Sequence, residues 1–293
     1  MSRANPAVPD PEREATYPCP MPPTPPSDRA PASGLRIARH YSSEAQAYRD
    51  LWAPVLVGLA RWLLEELPLA EARRVLNLGC GVGALLPHLD RVAPKARIVG
   101  LDRTEAMVAL GPRDFPLLVG DAAELPFADG SFDAVVMAFM LFHLPRPTAG
   151  LAEAWRVLRP GGSVGLLTWG TERESRARSQ WVEELDAAGA AEVAEKLSWH
   201  ELVNTPQKVN RELEAAGFMV AVSRVEWFVD RPSCAEFVSR RTSLGCCGHR
   251  WASLQQARRL ALLGNACRRL EGLSPEDFEE ESEVIITVAE RPK

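Results

Sequence analysis

The stretch Val75-Leu-Asn-Leu-Gly79-Cys-Gly81-Val-Gly83 decides how this chain is read. A short, mostly apolar run of strand length enters three glycines within five positions, and an amphipathic stretch follows from about Gly83 to Val92. Glycine reaches backbone conformations closed to other residues and lets a ligand approach the main chain closely. The helix that follows adds N–H groups without intrahelical partners. A tight structural turn alone does not require that density of glycine, so the loop is read as a ligand cradle at a strand end.

Working outward, short apolar runs alternate with helix-length segments. Strands are expected at 97–101, 116–119, 134–138 and 163–169, with helices at 104–110 and 148–158, the second ended by Pro160-Gly161-Gly162. Such alternation means βαβ units and a parallel sheet buried on both faces. Upstream, a helical region is predicted from about Ser42 to Glu66. Ser42 or Ser43 is its expected cap, Glu44 lies in its first turn, and Tyr41, Tyr48 and Trp52 fall near one face. Downstream, residues 170–205 read as a polar, Ala-rich helical insertion. A helix over 206–216 stops at Gly217, a long strand follows over 218–229, helices are expected at about 233–243 and 253–270, and 284–289 forms a last strand. The first 34 residues hold 10 of the 24 prolines, which removes backbone donors and predicts an unstructured tail. The resulting organisation is a tail over 1–34 and one domain over 35–293, with 170–205 and 232–271 as helical insertions or lid.

Composition narrows the class. At 46% hydrophobic and 25% charged residues over 293 positions the chain is globular and long enough for a sizeable core. A net charge of -5 gives no global footprint for nucleic acid. The longest apolar stretches, such as 134–144, are too short to span a bilayer, and 1–34 lacks a secretory apolar segment. Six cysteines in a chain of this length do not make a disulfide framework, so a reducing cytoplasm is expected.

Gly79-x-Gly81-x-x-Ala84 taken alone also fits a dinucleotide fingerprint. Asp102, about 20 residues beyond the loop at the end of the second strand, is placed to accept both ribose hydroxyls of an adenosine. The decision between cofactors rests on a third stretch. Gly120-Asp121-Ala-Ala-Glu-Leu-Pro-Phe127, followed by Asp129-Gly-Ser-Phe-Asp133, resembles the signature after strand three of class I S-adenosyl-L-methionine (SAM)-dependent methyltransferases. Leu158-Arg-Pro-Gly-Gly162 and the Gly217-Phe218 turn before two final strands are similar to the same family, the small-molecule branch that includes ubiquinone and menaquinone C-methyltransferases. The resemblance implies an α/β, Rossmann-like, doubly wound seven-stranded sheet, mostly parallel with an antiparallel edge strand, plus helical lid elements.

It also implies roles residue by residue. Gly79, Cys80 and Gly81 face the methionine and ribose of SAM; Asp102 holds the ribose; Arg103 and Met107 flank the adenine; Asp121 and Ala122 meet its polar edge. Asn77 stands where the family usually has an acid, keeping an acceptor without the charge that favours the SAM ammonium. His143 is the expected general base, and Tyr41, Tyr48, Trp52, Phe139, Phe142 and Trp169 are expected to line the acceptor pocket or lid. The implied partner is a small, hydrophobic or aromatic acceptor. An RNA or tRNA acceptor, and a SAM or S-adenosylhomocysteine-binding module without turnover, stay open as alternatives.

No metal site is expected: Cys246-Cys247-Gly-His249 with Cys267 matches no standard zinc spacing. Arg173–Arg178 carries mixed charge and reads as a solvated face. The residues after strand four, Ala138-Phe-Met-Leu-Phe-His143, lack the Asn-Pro-Pro-aromatic signature of many nucleic-acid and glutamine methyltransferases. The sequence assigns no oligomeric state.

Overall fold

A computed structural model describes residues 30–192 and 198–293, with side chains from residue 35. The expected proline-rich tail falls outside the described residues up to position 29. From there the chain is already helical, so α1 (Ala30–Ala47) starts inside the segment expected to be unstructured. Proline density ends at Pro31, and a proline in a first turn gives up no intrahelical bond.

The chain runs on through a π-helical turn, Tyr48–Trp52, into α2 (Ala53–Leu64). Ser42 and Ser43 therefore do not cap a helix. They lie inside α1, where their hydroxyls donate to the Ala38 and His40 carbonyls at 2.7 Å each. Then follow β1 (Arg74–Leu78), α3 (Leu86–Val92), β2 (Arg97–Asp102), α4 (Glu105–Val108), β3 (Leu117–Val119), β4 (Phe132–Ala138), α5 (Pro147–Val157) and β5 (Leu158–Arg173). The second half carries α6 (Arg176–Ala187), α7 (Pro206–Ala215), β6 (Met219–Asp230), α8 (Cys234–Ser243), α9 (Gly245–Ser253), α10 (Gln256–Leu270) and β7 (Glu280–Glu290).

Seven strands form one sheet in the order β3-β2-β1-β4-β5-β7-β6. The five strands β1 to β5 pair in parallel, and β7 runs antiparallel between β5 and β6. Val75, Leu76, Asn77 and Leu78 are all buried, as a central parallel strand covered on both faces must be. Strand order reverses between β1 and β4, which opens a crevice at their carboxyl ends. Asp133 fixes the opposite end of these strands: its Oδ2 accepts the Arg73 and Arg74 N–H groups at 2.7 and 2.8 Å, and it pairs with Arg159. That contact explains the aspartate ending the Asp129–Asp133 motif.

The two expected insertions share a second apolar core. Trp181 and Leu185 of α6 pack with Phe237, Cys247, Leu254 and Leu262 of the α8–α10 segment. Side-chain caps start these helices: Ser175 accepts from the Arg178 N–H, and Ser233 and Glu236 form a capping box. The insertion begins later than expected, because β5 extends to Arg173 against β7. Its residues 193–197 lie outside the described residues.

Candidate functional site

After β1 the chain turns through Gly79, Gly81 and Gly83 with φ of 72°, 54° and 68°, a region costly to residues with a Cβ. A Cβ on Gly79 would stand 2.6 Å from the Met140 Cβ, so glycine is also required by space there. Asp102 closes the loop. Its Oδ2 accepts the Gly81 N–H at 2.8 Å and its Oδ1 accepts the Thr104 N–H at 2.8 Å. Burial raises its pKa, opposed by those two hydrogen bonds. A carboxylate has about four acceptor positions, so two N–H contacts leave capacity for a pair of hydroxyls.

Tyr48 lies over this loop, its ring 3.5 Å from where a Gly81 Cβ would be. Met107 is buried in a small apolar cluster with Ala45, Ala53 and Val82, against which Tyr41 and Tyr48 pack. A cleft open to solvent is bounded by Tyr48, Leu56, Asn77, Gly79, Cys80 and Phe139. Burial raises the phenol pKa of Tyr41 and Tyr48 and the thiol pKa of Cys80 above their ordinary values, each with a further push from the Asp102 carboxylate. Arg103 and Asp121 pair at 2.6 Å on the rim, and Asp121 Oδ1 accepts the Ala123 N–H at 2.9 Å; Ala122 is buried beside them.

The aromatic residues expected at the acceptor end come together beyond β4. Phe139 takes φ 55°, strained for an aromatic residue. Its ring packs against Trp169 at 4.4 Å, with Trp52 6.3 Å from Trp169. Phe142 stacks on His200 at 4.1 Å, and burial lowers the His200 pKa to about 4. Tyr41 Oη and His143 Nε2 are 2.8 Å apart.

Two features escaped the sequence reading. Arg156 binds Glu153, Asp129 and the carbonyls of Phe127 and Leu125, and so holds the segment after Asp121 in place. His40 and Glu44 of α1 meet His249 of α9, with the two imidazoles 3.1 Å apart at closest approach. Burial, then His249 and His143, lowers the His40 pKa to about 4, while burial raises Glu44 to about 7 against a hydrogen bond from the Gly245 N–H. The spacing of four between His40 and Glu44 was visible in the sequence; a partner on a helix two hundred residues away was not. Arg173 and Arg178, expected on a solvated face, pair with Glu281 and with Glu172 and Glu174.

Comparison with known proteins agrees with this geometry. Residues 76–166 match the family model described as a methyltransferase domain. The chain is 40% identical over 143 residues to a demethylmenaquinone methyltransferase of Beutenbergia cavernae, covering 46% of this chain and 58% of the relative. It is 37% identical over 147 residues to one of Deinococcus radiodurans, covering 46% and 60%. The chain thus spans less than two thirds of the length of these relatives. Among solved structures, the YcgJ protein of Bacillus subtilis superposes with a TM-score of 0.51 at 16% identity, over 81% of this chain and 98% of that one. A phosphoethanolamine N-methyltransferase of Haemonchus contortus, in complex with phosphomonomethylethanolamine and S-adenosylhomocysteine, gives 0.51 at 16% identity, over 89% and 59%. Residues 76–166 thus carry a methyltransferase domain, and the strand order and the glycine loop clamped by Asp102 are those of the class I SAM-dependent methyltransferase fold.

Proposed function

We propose that this chain transfers the methyl group of SAM to a small hydrophobic or aromatic molecule by in-line displacement. The observation that carries the reading is the Asp102 carboxylate at the end of β2, fixed to the glycine loop by the Gly81 N–H. The donor set suits the cofactor: a carboxylate with spare acceptor capacity for the ribose, open main chain at Gly79–Gly81, and Arg103 with Asp121 at the adenine rim. Asn77, 2% exposed beneath the loop, would supply an uncharged acceptor for the ammonium group. When bound, SAM supplies an activated methyl on a sulfonium. The protein's part is to align the acceptor and exclude water.

Phe139, Trp169 and Trp52 form the apolar wall, with Phe142 beside His143. With its Nε2–H donating to the Tyr41 hydroxyl oxygen, which orients the ring, His143 would present Nδ1 to accept the acceptor's proton. Tyr48 lies over Gly81 and, with Asn77, Gly79 and Cys80, lines the cleft at the loop. The Tyr41–Trp52 segment is therefore assigned as a lid that lifts to load SAM and closes over it. Among the described residues no helix is long and apolar enough to cross a membrane, and Cys80, Cys234, Cys247 and Cys267 are free thiols; the cytoplasm is the proposed compartment.

Calorimetry with SAM, S-adenosylhomocysteine and NAD, followed by labelled SAM with quinol, phenol and RNA acceptors, tests the reading. Binding of SAM with turnover of an aromatic small molecule is expected. Preference for NAD refutes the cofactor assignment; SAM binding without transfer to any acceptor favours the binding-module alternative; transfer to RNA alone refutes the acceptor class.

A further inference from the structure

We propose that His40, Glu44 and His249 form a binding site for a divalent first-row transition metal ion such as Zn²⁺, joining α1 to α9. One donor atom from each of the three side chains can be chosen so that all lie within 4.8 Å of one another. The closest pairs are 3.1 Å between the two imidazoles, 3.5 Å between His40 Nε2 and Glu44 Oε2, and 3.9 Å between His249 Nδ1 and Glu44 Oε1. Tetrahedral zinc with bonds of about 2.1 Å sets its ligands about 3.4 Å apart. The first two distances use different His40 nitrogens and the last two different Glu44 oxygens, so one donor set, its atoms within 4.8 Å of one another, draws in by up to about 1.4 Å around the ion. Two imidazoles with one carboxylate suit zinc, iron, cobalt or nickel, whereas magnesium and calcium prefer oxygen alone.

The site has features of a built one. His40 and Glu44 are four residues apart and share one face of α1. Glu44 is only 7% exposed, an unusual position for a carboxylate without a cation beside it. Its Oε2 accepts the Gly245 N–H at 3.1 Å, an outer contact of the kind that orients a metal-bound carboxylate. Gly245 and His249 both belong to α9, so one helix supplies the ligand and the brace. Three protein ligands leave a coordination position free, and Glu44 and His249 also line a cleft of about 560 Å³ with Ser43, Asp50 and Thr242. The inference does not rest on the SAM reading. Its expected consequence is mechanical: the ion ties the segment carrying Tyr41 to the helical insertion. The cysteine spacing that argued against a metal does not involve this trio.

The test uses the full chain stripped with a chelator and titrated with Zn²⁺ against a chromophoric competitor, then with Co²⁺ as a visible-absorption probe. One ion per chain is expected, with Co²⁺ bands of nitrogen and oxygen ligation. Glu44→Gln and His249→Gln should each weaken binding at least about tenfold, while His88→Gln leaves it unchanged. Absence of stoichiometric binding in the wild type overturns the proposal, as does affinity unchanged in both variants. A thiolate charge-transfer band would assign the ion to cysteines and overturn it too. Far-UV circular dichroism checks each variant; if neither folds, the wild-type stoichiometry and cobalt spectrum decide.

Discussion

Tyr41 Oη stands 2.8 Å from His143 Nε2 across 102 residues of sequence, so the first helix reaches the carboxyl end of β4 directly. If His143 takes a proton from the acceptor, His143→Ala lowers turnover by about a hundredfold with S-adenosylhomocysteine affinity nearly unchanged. Tyr41→Phe, which only loosens the ring, is expected to cost about tenfold or less. Steady-state kinetics at saturating SAM checks both. A loss below about threefold in His143→Ala leaves the imidazole as pocket wall.

Asp102 serves the loop as well as the proposed ribose. Asp102→Ala should weaken SAM binding at least about tenfold and also lower the melting temperature. Two backbone N–H groups lose their acceptor, at about 1–3 kcal/mol for each one left buried and unpaired. Asp102→Asn keeps an acceptor oxygen, so it should retain more stability while still losing affinity. Calorimetry and thermal melts on both variants separate the two roles; unchanged SAM affinity in Asp102→Ala removes the residue from the site.

Gly79→Ala meets two obstacles, a φ of 72° and Met140 at 2.6 Å. Shortening the neighbour in Gly79→Ala/Met140→Ala relieves the collision but not the backbone strain of about 1–2 kcal/mol. Urea denaturation should therefore show partial rescue of the single mutant by the double, relative to Met140→Ala alone. Full rescue would mean that space, and not conformation, selects glycine there.

His200 supplies an acid-sensitive element. The unfolded chain takes up its proton near 6.5, whereas the folded chain resists until about 4. Stability from this group is complete above about pH 6.5 and falls as pH drops toward 4, by up to about 3 kcal/mol. His200→Phe keeps an aromatic ring against Phe142 and should flatten that part of the profile. Melting temperatures from pH 7 to 4 for both proteins make the comparison; parallel curves would refute it.

The sheet and the loop were legible because their signals are local. Val75–Gly83 carries strand and turn within nine positions, with the helix starting three residues later at Leu86, and Asp133 and Pro160-Gly161-Gly162 punctuate the neighbouring strands. The start of α1 was misplaced because serines that resemble caps also sit inside helices, bonding back to carbonyls one turn earlier. Helix α9 was missed because it contains Gly245 and Gly248, and glycine is a poor helix former. Of the site, Asp102 and the glycines follow from spacing along the chain. The Tyr41–His143 and Glu44–His249 contacts depend on tertiary packing that no local pattern encodes.

The insertion of β7 between β5 and β6 has a consequence for synthesis. While residues 280–290 are still inside the ribosome, β5 has an open flank and β6 has no strand to pair with. An exposed edge of that length invites pairing with other chains. The glycine loop and Asp102 can form by then, but the half-sheet remains unguarded until β7 enters. Arg291 then donates to the carbonyls of Trp155, Arg156 and Leu158 and lies over the Trp155 ring at 3.6 Å. Chaperone demand for this domain should peak before β7 emerges, and a chain truncated before residue 280 should be more prone to aggregate than one that includes residue 291.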